Sequence, residues 1–416
     1  MKGVILAAGV GSRMGYRAKP LVKVGGIEII ARTVKLLQPY VDEFVIVASI
    51  YADEIKSFLD SLGVKYTLVR NPNPERGNGY SLLLAEKYVD DKFVLVMGDH
   101  VYSREFVEAA IRCKGLVGDR RARYVDVREA TKVKVRDGRV AEIGKEVKDF
   151  DCIDTGFLVL DKSVFDVAKE LRGEVITLSD IVAAAKLPVC FVDGEFWMDI
   201  DTMEDVRRAN ELLVKLAVKG TGDGFVSRHL NRKISTRISA LLVNRVTPNQ
   251  MTLLSFLIGT LSALAAFFNA AVGGVIYQLS SIIDGCDGEI ARASLRSSRV
   301  GGYVDSVLDR VVDFAFLLAL ALRHGYFELA MLAVFGSVMV SYSTEKYKAE
   351  FGRSAYDEIK ELRYIPGKRD ERIFLIFLLC LSSVAFDTIP LLFAVIAALG
   401  FLKFSATAVI VWLRAR

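Results

Sequence analysis

Hydrophobic and polar positions change their rhythm midway along the chain. In the first half, short β-rich runs at 3–8 (GVILAA), 43–49 (EFVIVAS), 66–70 (YTLVR), 92–98 (KFVLVMG), 156–160 (GFLVL) and 188–192 (PVCFV) are separated by helix-length segments. That alternation predicts a mostly parallel sheet covered by helices, an α/β domain spanning 1–219. From about 250 the pattern is different. Six apolar segments, about 250–269, 271–293, 301–322, 325–344, 372–386 and 388–413, alternate with short charged ones and predict an all-α domain of six transmembrane helices over 248–416. Between the halves, GTGDG (220–224) reads as a flexible joint. After it, Val226, Leu230, Ile234, Ile238 and Leu242 recur every four residues among Arg228, Arg232, Lys233 and Arg237. This spacing predicts a basic amphipathic helix lying in the membrane interface, so 220–247 is read as linker plus interfacial helix. Thr247 is placed as an N-cap with Pro248 at the first helical position.

Composition agrees with a chain that is only half water-soluble, since 52% hydrophobic residues is high for a soluble enzyme. A net charge of +5 could indicate nucleic acid, but the basic residues cluster beside the apolar runs, which points to a membrane surface instead. Basic or richly charged loops at 292–299, 345–372 and the tail, against nearly uncharged connections near 270, 324 and 387, orient a multi-pass protein with its N-terminal domain and C-terminus in the cytosol. MKGVILAAG leads directly into a glycine-rich loop without the pattern of a cleavable leader. Five scattered cysteines form no CxxC pair, so reduced thiols are expected and no zinc site. Three glutamines in the whole chain hint at a hot habitat.

The first strand ends in AAGVGSRMGYRAKPL. Glycines let backbone N–H groups approach a phosphate, and Arg13 and Lys19 add positive charge for a triphosphate. The stretch resembles the signature of the sugar-phosphate nucleotidyltransferases, LAAGxGxRMG followed by KPL. The resemblance implies nucleotide contacts at Ala7, Ala8, Gly9 and Gly11, with Arg13 and Lys19 catalytic. It implies base recognition at Gly77, Asn78 and Gly79 of GNGYS, and sugar-phosphate contacts at Lys145 of IGK and at Thr155 and Gly156 of TGF. It also implies Mg²⁺ held by Asp99 of MGDH and by Asp199 of WMDIDT, where Asp201 stands as the alternative ligand.

The second domain carries carboxylates between its most apolar runs. Asp284, Gly288 and Arg292 share one helix face with Asp287 beside it, and Gly301, Asp305 and Asp309 share another. The second span runs inward and the third outward, so both polar halves meet at the cytosolic end, where unpaired anions are costly and divalent cations would compensate them. The spacing D-x2-D-G-x2-A-R-x8-G-x3-D-x3-D resembles the CDP-alcohol phosphotransferase signature. Pro248, Asn249 and Thr252 match that family's PNxxT. The resemblance implies that Asp284, Asp287 and Asp305 bind Mg²⁺, or Mn²⁺, and the CDP diphosphate with Gly288 and Arg292. It assigns Asp309 either to the metal or to deprotonation of the attacking hydroxyl.

One domain would make an activated alcohol that the other consumes. The whole order resembles the bifunctional inositol-1-phosphate cytidylyltransferases and di-myo-inositol-phosphate-phosphate synthases. That implies CTP, inositol 1-phosphate and CDP-inositol as small-molecule partners, a lipid bilayer, a homodimer, and no nucleic acid. A basic site for the second substrate's phosphate is expected among Arg299, Lys346, Arg353 and Arg363. Two alternatives stay open, a lipid acceptor for the activated head group and a non-enzymatic membrane scaffold.

Overall fold

A computed structural model describes residues 1–218 and 223–414. It divides into two compact units, and the boundary, between Ala209 and Asn210, falls inside helix Met203–Leu216, ahead of the predicted joint. Residues 220–222 of that joint lie outside the described residues.

The first unit is built on a nine-stranded sheet. Tyr66–Arg70, Glu43–Ala48, Lys2–Ala7 and Lys92–Met97 lie side by side and parallel. Val4, Ile5, Val45, Ile46, Val94 and Leu95 are fully buried, as expected where helices cover both faces of a parallel sheet. The other half departs from the parallel expectation. Cys152–Asp161 pairs antiparallel with Lys92–Met97 and leads to the hairpin Lys132–Arg136 and Arg139–Gly144. Gly115–Asp119 and Val189–Phe191 complete this side. The hairpin turns at Asp137-Gly138, both with positive φ, the backbone that a two-residue hairpin turn requires.

This side also corrects the expectation of reduced thiols throughout. Cys113 and Cys190 are joined in a disulfide across 77 residues, because Val189–Phe191 pairs with the strand that begins just after Cys113. Cys152, Cys286 and Cys380 are free and buried.

The second unit holds helices at each predicted apolar segment: Pro248–Phe268, Ala270–Ala293, Arg299–His324, Phe327–Phe351, Arg369–Ser382 and Ile389–Arg414. Three of them, Pro248–Phe268, Phe327–Phe351 and Ile389–Arg414, are long and apolar enough to cross a membrane. Two of the others carry the signature carboxylates. The fifth, Arg369–Ser382, has 14 residues, which at about 1.5 Å each fall short of a hydrocarbon core of about 30 Å. Thr247 caps the first helix and Gln250 closes a capping box behind Pro248. Small residues let helices approach closely, as where a Cβ on Gly400 would lie 2.6 Å from the Gly336 carbonyl carbon.

A π-turn, Ser227–Asn231, runs into helix Arg232–Leu242. Ser235 and Ser239 are fully buried, while Leu230, Ile234 and Leu241 are exposed. Ser235 and Ser239 therefore face the helical body, while Leu230, Ile234 and Leu241 share the exposed surface with Lys233 and Arg237.

Candidate active sites

In the first unit the glycine-rich loop leaves the end of strand Lys2–Ala7 and folds into two short 3₁₀ turns, Ser12–Met14 and Lys19–Leu21. Gly11 has φ of 64°, and a Cβ there would lie 2.1 Å from the Arg17 carbonyl oxygen, so only glycine fits. The loop brings Arg13 and Lys19 to the carboxylates. Lys19 Nζ lies 3.3 Å from Asp99 and donates to Asp201, and Arg13 donates to the other Asp201 oxygen at 2.6 Å. Burial opposes the Lys19 charge, but Asp99 and Asp201 outweigh it and raise the ammonium's pKa. Burial likewise opposes the Asp99 charge, yet the hydrogen bond and charge of His100, with Lys19, hold that carboxyl well below its usual range.

Asp199 lies directly across the strand pair from His100. Burial pushes its carboxyl up; His100 opposes this, while Asp201 and Asp99 add to it. A cavity of about 170 Å³ is lined by Asn78, His100, Lys145, Asp154, Gly156 and Asp199 among others. Asp199 thus faces this cavity and Asp201 the two cations of the loop. Ala7 and Ala8 are buried where the strand ends, and Gly9 is exposed. Gly77 and Gly79 press on the Ile176 carbonyl, while Asn78 accepts from the Leu178 N–H at 2.7 Å. Thr155 is not brought to the cavity: it is fully buried and its hydroxyl donates to the Val117 carbonyl at 2.7 Å. His100 and Asp154, which sequence reasoning did not single out, take places in the wall.

In the second unit the two carboxylate stripes do meet. Ligand oxygens of Asp284, Asp305 and Asp309 lie within 4.8 Å of one another. Three hard carboxylate donors converging in this way fit Mg²⁺ or Mn²⁺. Asp287 sits beside them and accepts the Thr252 hydroxyl at 2.6 Å, which explains why the first helix's threonine belongs to the pattern. Pro248 occupies the first helical position and Asn249 is exposed next to it. Gly288 leaves room for the Arg292 guanidinium, since a Cβ would lie 2.9 Å from it, and Arg292 donates to the Ala217 carbonyl.

The cations beside the carboxylates are Arg369 and Arg310. Arg369, at the start of a later helix, lies 3.1 Å from Asp284, 2.8 Å from Asp309 and 3.1 Å from Asp313. Arg310 approaches Asp309 and Asp313, and Tyr277 donates to Asp313 at 2.6 Å. A cavity of about 290 Å³ opens beside the carboxylates, walled by Arg232, Arg310, Lys368, Arg369, Arg372 and Tyr356 among others. The four residues expected to form the basic site are not part of that wall. Arg299 is exposed, Lys346 pairs with Glu350, Arg353 pairs with Glu358 at 3.3 Å, and Arg363 donates to the Tyr356 carbonyl. Loop charges of this kind find partners within one or two turns. A further buried carboxylate, Glu289, accepts from Arg232 at 2.8 Å, Ser235 at 2.7 Å and Ser239 at 2.6 Å.

Residues 3–140 match the family model of the MobA-like NTP transferase domain, and residues 245–414 match that of the CDP-alcohol phosphatidyltransferases. A protein of Archaeoglobus fulgidus named bifunctional IPC transferase and DIPP synthase is 60% identical over 410 residues, covering 98% of this chain and 84% of that one. Its namesake in Thermococcus kodakarensis is 52% identical over 407 residues, covering 96% of this chain and 94% of that one. A solved structure described as the inositol-1-phosphate CTP transferase from T. maritima is 29% identical, with a TM-score of 0.46, covering 49% of this chain and 90% of that one. Identity of this level along nearly the whole length places the chain in the family of bifunctional IPC transferases and DIPP synthases.

Proposed function

We propose that the protein carries out two successive phosphoryl-group transfers. In the first unit, a phosphate oxygen of inositol 1-phosphate attacks the α-phosphorus of CTP, and pyrophosphate leaves as CDP-inositol forms. Arg13 and Lys19 stabilise charge on the transferring and leaving groups, with Asp99 and either Asp199 or Asp201 as carboxylate donors for Mg²⁺. In the second unit, a hydroxyl of a second inositol 1-phosphate attacks the inositol-bearing phosphorus of CDP-inositol. CMP leaves, the hydroxyl proton passes to Asp309 or, with Asp309 as a ligand of the cation, to solvent, and a soluble phosphodiester that still carries a phosphomonoester remains. Asp284, Asp287 and Asp305 would hold the divalent cation that offsets the charge of the diphosphate. When bound, the cations neutralise developing phosphoryl charge in both steps.

The observation that carries this reading is the convergence of Asp284, Asp305 and Asp309 beside a cavity lined by Arg310, Lys368 and Arg369 as well as by Asp223, Glu345 and Asp370, in a chain whose other half presents Lys19 and Arg13 against Asp99 and Asp201. The acceptor's phosphate is assigned to the Lys368 and Arg310 side of that cavity. The helices of the second unit span the membrane, with both chain ends on the cytosolic side, because the basic loops fall on that side.

The test uses purified protein in detergent with CTP, Mg²⁺ and inositol 1-phosphate, followed by ³¹P NMR. CMP, pyrophosphate and a water-soluble phosphodiester are expected. CDP-inositol that accumulates until lipid is added would replace the second step by lipid head-group transfer, and the absence of both CDP-inositol and the phosphodiester would remove the substrate assignment.

A further inference from the structure

Lys403 is a charged side chain that neither step uses. It sits within helix Ile389–Arg414, between apolar stretches, and is fully buried. A buried ammonium in such a helix is costly unless its protons are satisfied, so its partners carry information. They are the carbonyl oxygens of Leu362 and Ile365, at 2.5 Å and 2.6 Å. Both belong to the segment that joins helix Phe327–Phe351 to helix Arg369–Ser382.

That segment is folded down onto the helices. Ala355, Ile359 and Leu362 form a small buried cluster. Gly367 has φ of 110°, and a Cβ there would lie 2.9 Å from the Leu399 carbonyl oxygen and 3.2 Å from Lys403 Cβ. Tyr356 stands between two ammonium groups, with Lys368 Nζ 4.5 Å and Lys403 Nζ 5.3 Å from its ring centroid. Tyr356 and Lys368 both face the 290 Å³ cavity, whereas Lys403 is behind them.

We propose that Lys403 is a positioning residue for the second transfer: by holding the Leu362 and Ile365 carbonyls it fixes Tyr356 and Lys368 as the wall that receives the acceptor's phosphate. The assignment rests on the functional reading above, because it needs an anionic acceptor. The carboxylates come from helices Ala270–Ala293 and Arg299–His324, and the segment reaches them through Arg369, so the CDP-alcohol side should move less than the acceptor side.

The test is steady-state kinetics of the second step on the full chain in detergent, with CDP-inositol and inositol 1-phosphate varied separately. Lys403→Met leaves two carbonyls unpaired, and the KM for inositol 1-phosphate should rise about tenfold while that for CDP-inositol stays within about twofold. Lys403→Arg, which keeps a multiple N–H donor, should recover part of the loss. Gly367→Ala strains the same segment without uncovering a charge and should move the same KM. Unchanged values for Lys403→Met, or equal shifts in both KM values, would overturn the proposal. Should Lys403→Met fail to fold, an unaltered KM in Gly367→Ala does so. A wild type that makes no soluble phosphodiester overturns the functional reading and this assignment with it, whereas an active wild type beside an unaltered Lys403→Met overturns only the role of Lys403.

Discussion

Replacing Asp305 by asparagine removes one negative charge from the membrane-side cluster and almost nothing else, because the two side chains have nearly the same volume. The cluster's ligand oxygens lie within 4.8 Å of one another. At separations of about 4 Å and an effective dielectric near 20, one pair of unit charges is worth about 4 kcal/mol, and a divalent cation doubles the interaction before desolvation reduces it. Retaining only about 4 kcal/mol of that as lost transition-state stabilisation predicts a fall of about a thousandfold in the second step. The same substitution relieves repulsion among like charges, so the protein should be at least as heat-stable in detergent as the wild type. The assay is CMP release from supplied CDP-inositol, with CDP-inositol synthesis from CTP measured on the same sample as an internal control. Synthesis should be unchanged and its product should accumulate. A variant that releases CMP within tenfold of the wild-type rate would refute the assignment of Asp305 to the reacting centre.

The converse substitution, Asp99→Asn, should abolish CDP-inositol synthesis and leave consumption of supplied CDP-inositol intact; loss of both activities would tie the two sites together in a way their separate carboxylates do not predict. Gly11→Ala forces a Cβ to 2.1 Å from the Arg17 carbonyl, and about 1–3 kcal/mol of strain is expected to appear as weaker CTP binding in the first step only, read as a raised KM. Burial pushes the Cys152 thiol up to about 12, so the native protein at pH 8 should resist iodoacetamide at that residue, while reductant should expose Cys113 and Cys190 to it. Labelling of Cys113 or Cys190 without reductant, read by peptide mass mapping, would show that the crosslink does not form.

What the sequence disclosed and what it withheld follow from how far each relationship reaches along the chain. The i, i+4 spacing of Asp305 and Asp309, and the match of Asp284 to the opposite helix, were readable because a helix carries its own ruler. Asp313 continues the same stripe by one more turn and could have been read the same way. Arg369 could not, since it reaches the cluster from a helix whose register against the others is set by packing. The strand Cys152–Asp161 carries a simpler lesson: side chains alternate, so with Asp154 and Gly156 in the cavity wall, Thr155 must point into the core. A motif read as a block assigns all its members to the site, whereas the strand's period of two divides them. The antiparallel hairpin was signalled by Asp137-Gly138 between alternating residues, but the Cys113–Cys190 bond depends on which strand lies beside Gly115–Asp119, and spacing carries no trace of that.

The acidic residues of the two carboxylate helices fall into two kinds. Glu289 is wholly buried, and protein donors meet both its oxygens: Arg232 and Ser235 on one, Ser239 on the other. Three protein donors engage this carboxylate, and its contacts tie helix Arg232–Leu242 to helix Ala270–Ala293 through a polar face. Asp284, Asp305 and Asp309 are instead only partly buried, and Asp284 and Asp309 line a cavity large enough for a phosphate. Arg369 is the cation that reaches both Asp284 and Asp309, and it is shared with Asp313. Arg369 and Arg310, both shared with Asp313, still leave Asp284, Asp305 and Asp309 short of positive charge, and in a helical body that deficit is costly. A divalent cation would supply that missing positive charge. Glu289, only two residues beyond Asp287, shows the contrast: helix Arg232–Leu242 brings it a guanidinium and two hydroxyls of its own.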